Sequence, residues 1–325
     1  KNILKRRNLK DLIQKEFPES RFSGKIHSIE HHLTHLSSAF HVSPFNESVI
    51  VSVDGFGDFA STAWGKGKGV NIDLDEKVYF PHSLGIFYMA LTQFIGFQNY
   101  GDEYKVMGLA PYGKPNYMDH MQQIVNLKSD GSFYLNLKYF KFHREKVDFF
   151  KENGSPYVGT LFSPELEMLL GPARKKNEEL TQHYKNIAHS VQAMYEKSFF
   201  HLLNKLHEKY KLDNLSIAGG CGMNSVANGK ISLNTPFKKI YIQSAAGDAG
   251  VAIGAALMTW HRLGGKNAQK KVKSHDHAYW GPSFSNEYID NLLNSQKYRL
   301  KKDNYNIEYF SDFSKITKIT ATEIT

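Results

Sequence analysis

The feature that most constrains the fold is a run of three predicted β-strands joined by short glycine turns. Residues 48–54 are rich in Val and Ile and predict a buried strand, and residues 59–64 and 70–79 predict two more. Strands that follow one another through tight turns pair as an antiparallel meander. Two further short strands are predicted at 215–218 and 239–243, with helical sequence after them. This order predicts an α/β domain with a mixed sheet flanked by helices.

The same order of elements is typical of a ribonuclease-H-like unit, and two such units face to face make the actin-like ATPase fold. A predicted strand at 25–29 and a predicted helix at 31–42 match the end of a preceding unit. We therefore predict two lobes, with the first lobe largely missing from this chain. The predicted divisions are 1–45 for the remainder of the first lobe, 46–263 for the second lobe with an insertion around 96–180, and 264–325 for a C-terminal extension.

Cysteine content and hydropathy point to the cytoplasm. The single cysteine, Cys221, excludes an internal disulfide framework and fits a reducing compartment. The longest nearly uncharged apolar run, 250–260, is too short to cross a bilayer, so no membrane partner is expected. The net charge of +9 favours anionic partners, but the basic residues are spread out and nucleic acid is not expected. Because the chain opens at Lys1 without Met and ends at Thr325 inside a predicted helix, we expect a fragment.

Four residues together form a candidate metal site. His31 and His35 are four residues apart, which places both imidazoles on one face of the predicted helix. Asp54 ends the first strand of the meander, and Asp248 begins a predicted helix. Each has an ordinary explanation as a structural histidine, a turn residue or a helix cap. Two imidazoles and two carboxylates together suit Fe, Mn or Zn, whereas His32 faces another direction and is interpreted as structural.

Two glycine-rich stretches indicate a nucleotide site. One lies in the turn after the first strand, and the other follows the strand at 215–218. Glycines let backbone N–H groups approach a phosphate closely, although a plain hairpin turn or a tight strand-to-helix connection has the same composition. Neither stretch is a P-loop, because Gly-Lys-Ser/Thr is absent. The candidate nucleotide-binding residues are Gly55, Gly57, Asp58, Gly219, Gly220 and Asn224.

A third stretch, residues 101–113, mixes acidic, basic and glycine residues. Glu103 and Lys105 either form an ion pair on a solvated surface or line a polar pocket. We retain both as candidates for a substrate pocket, and the residues alone do not identify a general base.

These stretches resemble the O-carbamoyltransferase family, which includes the nodulation-factor, cephem and aminoglycoside carbamoyltransferases. The resemblance covers roughly residues 25 to 290 and depends on five ordered motifs. The matching residues are His31-His32, His35 and Ser38-Ala39-Phe40; Val53-Asp54-Gly55 and Gly57-Asp58; Ser83-Leu84-Gly85 with Gly101 and Glu103-Tyr104-Lys105-Val106-Met107-Gly108-Leu109-Ala110-Pro111-Tyr112-Gly113; Gly219-Gly220-Cys221 and Asn224; and Gly247-Asp248, Gly250 and Gly254-Ala255.

The resemblance implies a domain similar to the tRNA threonylcarbamoyl-transferring proteins of the TsaD type. It implies a metal, usually iron and alternatively Zn or Mn, held at the positions His31, His35, Asp54 and Asp248. It also implies carbamoyl-adenylate, made from carbamoyl phosphate and ATP on a YrdC-like domain, with Mg left open as a further cofactor. The carbamoyl group would pass to a hydroxyl of a sugar-containing or antibiotic-like small molecule.

The chain departs from the family pattern in two ways. Nothing before Lys1 supplies most of the first lobe, and nothing near Thr325 matches the segment that leads into a YrdC-like domain. We therefore expect this fragment alone to be incomplete as an enzyme, and a homodimer is left open. Two alternatives remain: an actin-like kinase or phosphohydrolase that uses aspartates with Mg²⁺, and a non-catalytic nucleotide- or RNA-binding subunit related to tRNA threonylcarbamoylation.

Overall fold

The structure of the chain is a computed structural model that describes residues 9–152, 155–279, 281–296 and 307–324. The chain divides into two units, Lys1–Ala278 and Tyr279–Thr325, and each is described by itself. The three-part division predicted from the sequence stays a prediction.

The strands are β1 (Glu47–Gly57), β2 (Ala60–Lys68), β3 (Asn71–Tyr79), β4 (Val125–Leu127), β5 (Phe133–Leu135), β6 (Phe149–Glu152), β7 (Ser155–Val158), β8 (Asn214–Ala218) and β9 (Lys239–Ile242). The α-helices are α1 (Leu9–Glu16), α2 (His31–Phe40), α3 (Leu84–Phe94), α4 (Glu103–Leu109), α5 (Met118–Ile124), α6 (Pro164–Leu170), α7 (Gln182–Tyr210), α8 (Ser225–Asn228), α9 (Ile231–Asn234), α10 (Val251–Leu263), α11 (Asn286–Ser295) and α12 (Phe313–Ile324). A 3₁₀ turn at Asp248–Gly250 leads directly into α10.

A five-stranded mixed sheet with the order β3-β2-β1-β8-β9 forms the centre of the first unit. The first three strands pair antiparallel, and β1, β8 and β9 run parallel. Strand β1 is the middle strand of the five. Its residues Val49, Val51 and Val53 are therefore completely buried against the main core. The predicted meander and the predicted mixed α/β sheet are therefore confirmed.

The strand predicted at 25–29 is wrong. Residues 25–30 form no strand, and residues 25–28 are exposed. The structure pairs this segment with no strand in the described ranges, and an extended segment without a partner leaves its backbone groups to water. Helix α2 begins directly after it, as predicted: Glu30 accepts a hydrogen bond from the backbone N–H of Leu33 at 2.8 Å and caps the helix.

Helix α2 is held between the sheet and helix α10. Eight of its ten residues are buried, so it is enclosed on nearly every side. Gly254 of α10 lies directly against α2, because a Cβ built at that position would be 1.8 Å from the carbonyl oxygen of Thr34. Only a glycine permits this approach. The contact brings the start of α10, and with it Asp248, close to the histidines of α2.

His41, at the end of α2, is buried without charge. Its side chain has no exposed surface, its Nε2 faces the carbonyl of Val70 at 3.1 Å, and its Nδ1 faces the hydroxyl of Ser37 at 2.8 Å. Burial lowers the pKa of His41 to about 4, with smaller contributions from the neighbouring His261 and Lys271, against the hydrogen bond to Val70. Since burial opposes protonation here, the neutral ring belongs to the folded state.

We expect His41 to make the fold sensitive to mild acid. Its pKa falls from 6.5 to about 4 on folding, so the unfolded chain binds the proton first. Its contribution is complete above pH 6.5 and is lost as the pH falls toward 4, which amounts to about 3 kcal/mol. Urea unfolding at pH 7 and at pH 4.5 measures the loss, and His41→Gln should reduce the difference between the two. An equal pH dependence in the variant would contradict the expectation.

The insertion between α3 and α7 is built from short elements. Strands β4 and β5 pair with each other, as do β6 and β7, and neither pair joins the central sheet. In the second unit, helices α11 and α12 have no buried residues. Among the described residues, no helix combines the length and the apolar composition that a membrane span requires.

Candidate metal centre

Three separate elements bring the four predicted ligands to one point. His31 and His35 lie one turn apart on α2, Asp54 lies on β1, and Asp248 lies at the start of the 3₁₀ turn before α10. One nitrogen or oxygen of each side chain lies within 4.8 Å of the others. His35 and Asp54 are buried, His31 is half-buried, and Asp248 is exposed. The group predicted from chemistry alone is therefore assembled by the fold.

The spacing of these atoms suits a single cation. The Nε2 atoms of His31 and His35 are 3.1 Å apart, and they lie 3.1 and 3.4 Å from Oδ2 of Asp54. Oδ1 of Asp248 lies 3.6 and 3.5 Å from the same two nitrogens. Ligands bound at about 2.0–2.2 Å to one ion are themselves about 3.0–3.6 Å apart for ordinary bond angles. Two imidazole nitrogens that face each other at this distance are well matched to a shared cation.

The charges of the cluster support one another. Burial raises the pKa of the Asp54 carboxyl, but hydrogen bonds from His31 and His35 outweigh burial and hold the pKa well below its usual range. The hydrogen bond with Asp54 raises the pKa of His31, with burial acting against it. Asp54 is therefore a carboxylate, the form in which it can bind a metal.

Hydrogen bonds from the backbone fix two of the candidate ligands. The N–H of Gly220 donates to Oδ1 of Asp54 at 2.8 Å, which leaves Oδ2 to face the histidines. The N–H of His31 donates to Oδ2 of Asp58 at 2.9 Å, at the first residue of α2. His32 belongs to a different environment, because it is fully buried and its Nδ1 lies 3.0 Å from Oγ of Ser52. The structural interpretation of His32 agrees with this contact.

Gly57 makes room for the His31 ring. A Cβ at this position would lie 1.9 Å from Cδ2 of His31, whereas a Cβ at Gly55 would have no atom within 4 Å. Gly57 was predicted to contact a nucleotide, but the structure places it against a candidate metal ligand. Glycine suits a nucleotide contact and a contact with the His31 ring equally, because a close approach to the backbone requires a residue without a side chain in either case.

We expect Gly57→Ala to displace His31 and weaken metal binding, whereas Gly55→Ala is a matched control that meets open space. Loss of an ordered ligand position lowers metal affinity by about 10- to 100-fold. Equilibrium titration with Zn²⁺ measures the affinity, and circular dichroism checks that both variants fold. Equal affinities of the two variants would show that His31 does not need this clearance.

A cavity of about 610 Å³ opens beside the cluster. Asp54 and Asp248 form part of its wall. Of the other residues predicted to bind nucleotide or substrate, the cavity lining includes Gly55, Gly220, Asn224 and Glu103. It does not include Gly57, Asp58, Gly219 or Lys105.

The residues that do not line the cavity have other contacts. Asp58 bonds to the backbone of His31, as described above, and Gly219 lies against the carbonyl of Val53. Lys105 forms an ion pair with Asp102, with its Nζ 2.7 Å from Oδ1 of that residue. No ion pair between Lys105 and Glu103 is present among the described residues. The structure therefore places only Glu103 of this predicted pair in the pocket.

The polar residues at the cavity wall differ in how they are held. Asn224 accepts the N–H of Ala227 at 3.0 Å and exchanges hydrogen bonds with Gln192, so its amide also orders the local backbone. Glu103 forms no ion pair in the part of the chain that the structure describes. Burial raises the pKa of the Glu103 carboxyl, and the neighbouring Asp102 adds to this effect.

Sequence reasoning missed the aromatic character of this cavity. Its wall includes Phe56, Tyr88, Tyr100, Tyr104 and Tyr195, and no lysine, arginine or histidine belongs to the lining described by the structure. Tyr88 lies on α3 among apolar residues at helical spacing, and this pattern indicates burial but does not distinguish a core from a cavity wall. The described lining of the cavity therefore combines aromatic rings with carboxylates and contains no cationic side chain.

Comparisons with known proteins agree with the motifs. Residues 3–257 match the family described as the carbamoyltransferase N-terminus. The uncharacterized protein sll1178 of Synechocystis sp. is 38% identical over 99% of this chain and 50% of its own length. Nodulation protein NolNO of Sinorhizobium fredii is 33% identical over 86% of this chain and 37% of its own length. Nodulation protein NolO of Bradyrhizobium diazoefficiens is 33% identical over 81% of this chain and 43% of its own length.

The chain spans about half, or less, of the length of these curated relatives. The crystal structure of T. kodakarensis HypF aligns with 77% of this chain and 39% of that chain, at 14% identity and a TM-score of 0.38. Because the family match extends over most of its length, this chain belongs to the carbamoyltransferase family, in the part described as the N-terminus.

Proposed function

We propose that this chain is the metal-holding, TsaD-like part of an O-carbamoyltransferase. It passes a carbamoyl group from carbamoyl-adenylate to a hydroxyl of a sugar-containing or antibiotic-like small molecule. The observation that carries the proposal is the convergence of His31, His35, Asp54 and Asp248 beside a cavity of about 610 Å³, in a chain of this family. The carbamoyl-adenylate is made from carbamoyl phosphate and ATP on a YrdC-like domain, and the site of action is the cytoplasm.

The proposal includes an actin-like ATPase fold with one nearly complete ribonuclease-H-like lobe. The sheet order supports it: three antiparallel strands are followed by two strands parallel to β1. In open α/β sheets, ligands bind beyond the carboxyl ends of the strands. Asp54 near the end of β1 and the Gly219-Gly220 segment after β8 both lie at that edge.

Two imidazoles and two carboxylates suit iron, with zinc or manganese as alternatives. When bound, such a cation supplies Lewis-acid stabilisation of negative charge on carbamoyl or phosphate oxygens. The residues of the chain orient the reactants. Gly55 and Gly220 leave the cavity wall open next to Asp54, and aromatic side chains form part of the remaining wall.

The experiment joins this chain to a YrdC-like domain and supplies carbamoyl phosphate, ATP and a panel of hydroxylated acceptors. Mass spectrometry is expected to detect an acceptor that carries one added carbamoyl group. A phosphorylated acceptor, or ATP hydrolysis that does not depend on carbamoyl phosphate, would replace the proposal with a kinase or phosphohydrolase. RNA binding that weakens steeply with salt, without carbamoyl transfer, would indicate a nucleotide- or RNA-binding subunit.

A further inference from the structure

Residues 270–275, here called the strap, run past the end of helix α2 in an irregular conformation. The strap follows a 3₁₀ turn at Gly265–Gln269 and forms no helix or strand. At its far end the N–H of His275 donates to the carbonyl of Val42 at 2.8 Å. The hydroxyl of Tyr241, on the edge strand β9, donates to the carbonyl of His275 at 3.0 Å. The strap is therefore joined to both the end of α2 and the edge of the central sheet.

The side chain of Lys271 ends among a group of oxygen atoms at the end of α2. Its Nζ lies 2.7 Å from the carbonyl oxygen of Phe40, 2.6 Å from that of Phe45 and 3.1 Å from that of Ser43. Oγ of Ser43 lies at 3.3 Å, and the centroid of the Phe40 ring at 4.2 Å. An ammonium has three N–H donors, so the three carbonyls can accept all of them. The aromatic face adds a cation–π contact.

These contacts select a particular kind of cation. Carbonyl oxygens at the C-terminus of a helix carry partial negative charge, which favours a cation there. In the described chain, all four polar partners of the Lys271 ammonium are neutral oxygens. Ca²⁺ and Mg²⁺ usually bind through carboxylates. Neutral oxygens with an aromatic face therefore suit a singly charged ammonium better than a divalent ion.

A second cavity, of about 430 Å³, adjoins this group of oxygen atoms. Its lining includes Ser43, Phe45 and Lys271, together with the exposed Lys270. Removal of the Lys271 side chain would therefore leave room for a small free cation to reach the same oxygens.

We propose that the carbonyls of Phe40, Ser43 and Phe45 form a binding site for a primary ammonium ion, and that Lys271 occupies this site and holds the strap in place. The inference is independent of the proposed function, because none of these residues lines the cavity beside the metal cluster. The strap is close to Ala278, where the first unit ends. The ammonium therefore fixes the C-terminal segment of that unit.

Limited proteolysis of the 325-residue chain with proteinase K, at pH 7, measures how often the strap opens, and mass spectrometry identifies cleavage within residues 264–278. Burial lowers the pKa of Lys271 to about 8, so its side chain is mainly an ammonium at this pH. Lys271→Ala should raise the cleavage rate about tenfold or more, because it removes the hydrogen bonds to three carbonyls. Lys270→Ala, at the adjacent exposed lysine, is the matched control and should be cleaved as the wild type is.

Added methylammonium should bring the cleavage rate of Lys271→Ala back to within about threefold of the wild-type rate. Tetramethylammonium at the same concentration should have no effect, because it has no N–H donor. Lys271→Met keeps a side chain of similar length without the charge. It should be cleaved as fast as Lys271→Ala and should not be rescued, because its side chain fills the site.

Several results would overturn the proposal. Equal cleavage of Lys271→Ala and Lys270→Ala would show that Lys271 does not hold the strap. Equal effects of the two added cations would show that the carbonyls form no ammonium site, and wild-type cleavage of Lys271→Met would show that apolar contact is sufficient. If circular dichroism shows that the variants unfold, NMR of wild-type chain with isotope-labelled lysine decides. One ammonium signal with slowly exchanging hydrogens is expected, and its absence would contradict the proposal.

Discussion

Replacing His35 with alanine should lower the affinity of this chain for Fe²⁺ or Zn²⁺ by more than about 100-fold. The His35 side chain is completely buried, and its Nε2 lies 3.1 Å from that of His31 and 3.4 Å from Oδ2 of Asp54. Its removal takes away one of two nitrogen ligands and leaves a gap that only water can fill. Metal analysis after gel filtration, together with equilibrium titration, measures the loss.

His27→Ala is the matched control, because His27 is exposed and lies outside the cluster of four. It should keep both the metal content and the affinity of the wild type. Circular dichroism of the two variants separates metal loss from unfolding. Full metal content in folded His35→Ala would show that the cluster is not a metal site.

Removing the metal should weaken binding of AMP at least about 100-fold. The cavity wall carries three carboxyl groups, from Asp54, Glu103 and Asp248, and no cationic side chain among the described lining residues. Two like unit charges about 4 Å apart repel by about 4 kcal/mol at an effective dielectric constant near 20. A phosphate therefore needs a compensating cation in this cavity, and the candidate metal is positioned to supply it.

Adenosine is the internal control for this experiment, since it carries the same base and ribose without the phosphate. Calorimetry compares two samples. In the first, a chelator has removed the metal and has then itself been removed, and in the second the chain has been reloaded with Zn²⁺. Adenosine affinity should change less than about threefold, because its contacts with the aromatic wall carry no charge. If AMP binds equally well with and without metal, the phosphate is not placed beside the cluster.

The candidate metal ligands could be predicted because most of them are marked by local spacing in the sequence or by their place at the end of a strand. The four-residue interval between His31 and His35 fixes a shared helix face, and Asp54 at a strand end fixes an edge of the sheet. Asp248 was less constrained, since a helix-cap role explains an aspartate equally well. What joins it to the others is the close approach of Gly254 to α2, and that contact involves residues more than 200 positions apart.

Other contacts at the site depend on the tertiary fold in the same way. The nucleotide contact predicted for Gly57 stays a prediction. The structure places the His31 ring beside this residue, because glycine allows any close approach and the sequence does not say what approaches. Lys105 was considered together with Glu103, but its ammonium pairs with Asp102, the residue directly before α4. The mutual contacts of Phe56, Phe80 and Phe142 were not predicted, because the three rings come from three segments whose meeting depends on the tertiary fold.

Because the four candidate donors come from separate elements, the candidate metal site is complete only when the last of these elements has been synthesised. Asp248 is synthesised about 190 residues after Asp54. At about 5 to 20 residues per second, that interval is about 10 to 40 s. Throughout it the candidate site is not assembled, because Gly220, which holds Oδ1 of Asp54, and helix α10, which packs on α2, also come late in the chain. An ion held by all four donors would therefore bind only after the segment that carries Asp248 has been made.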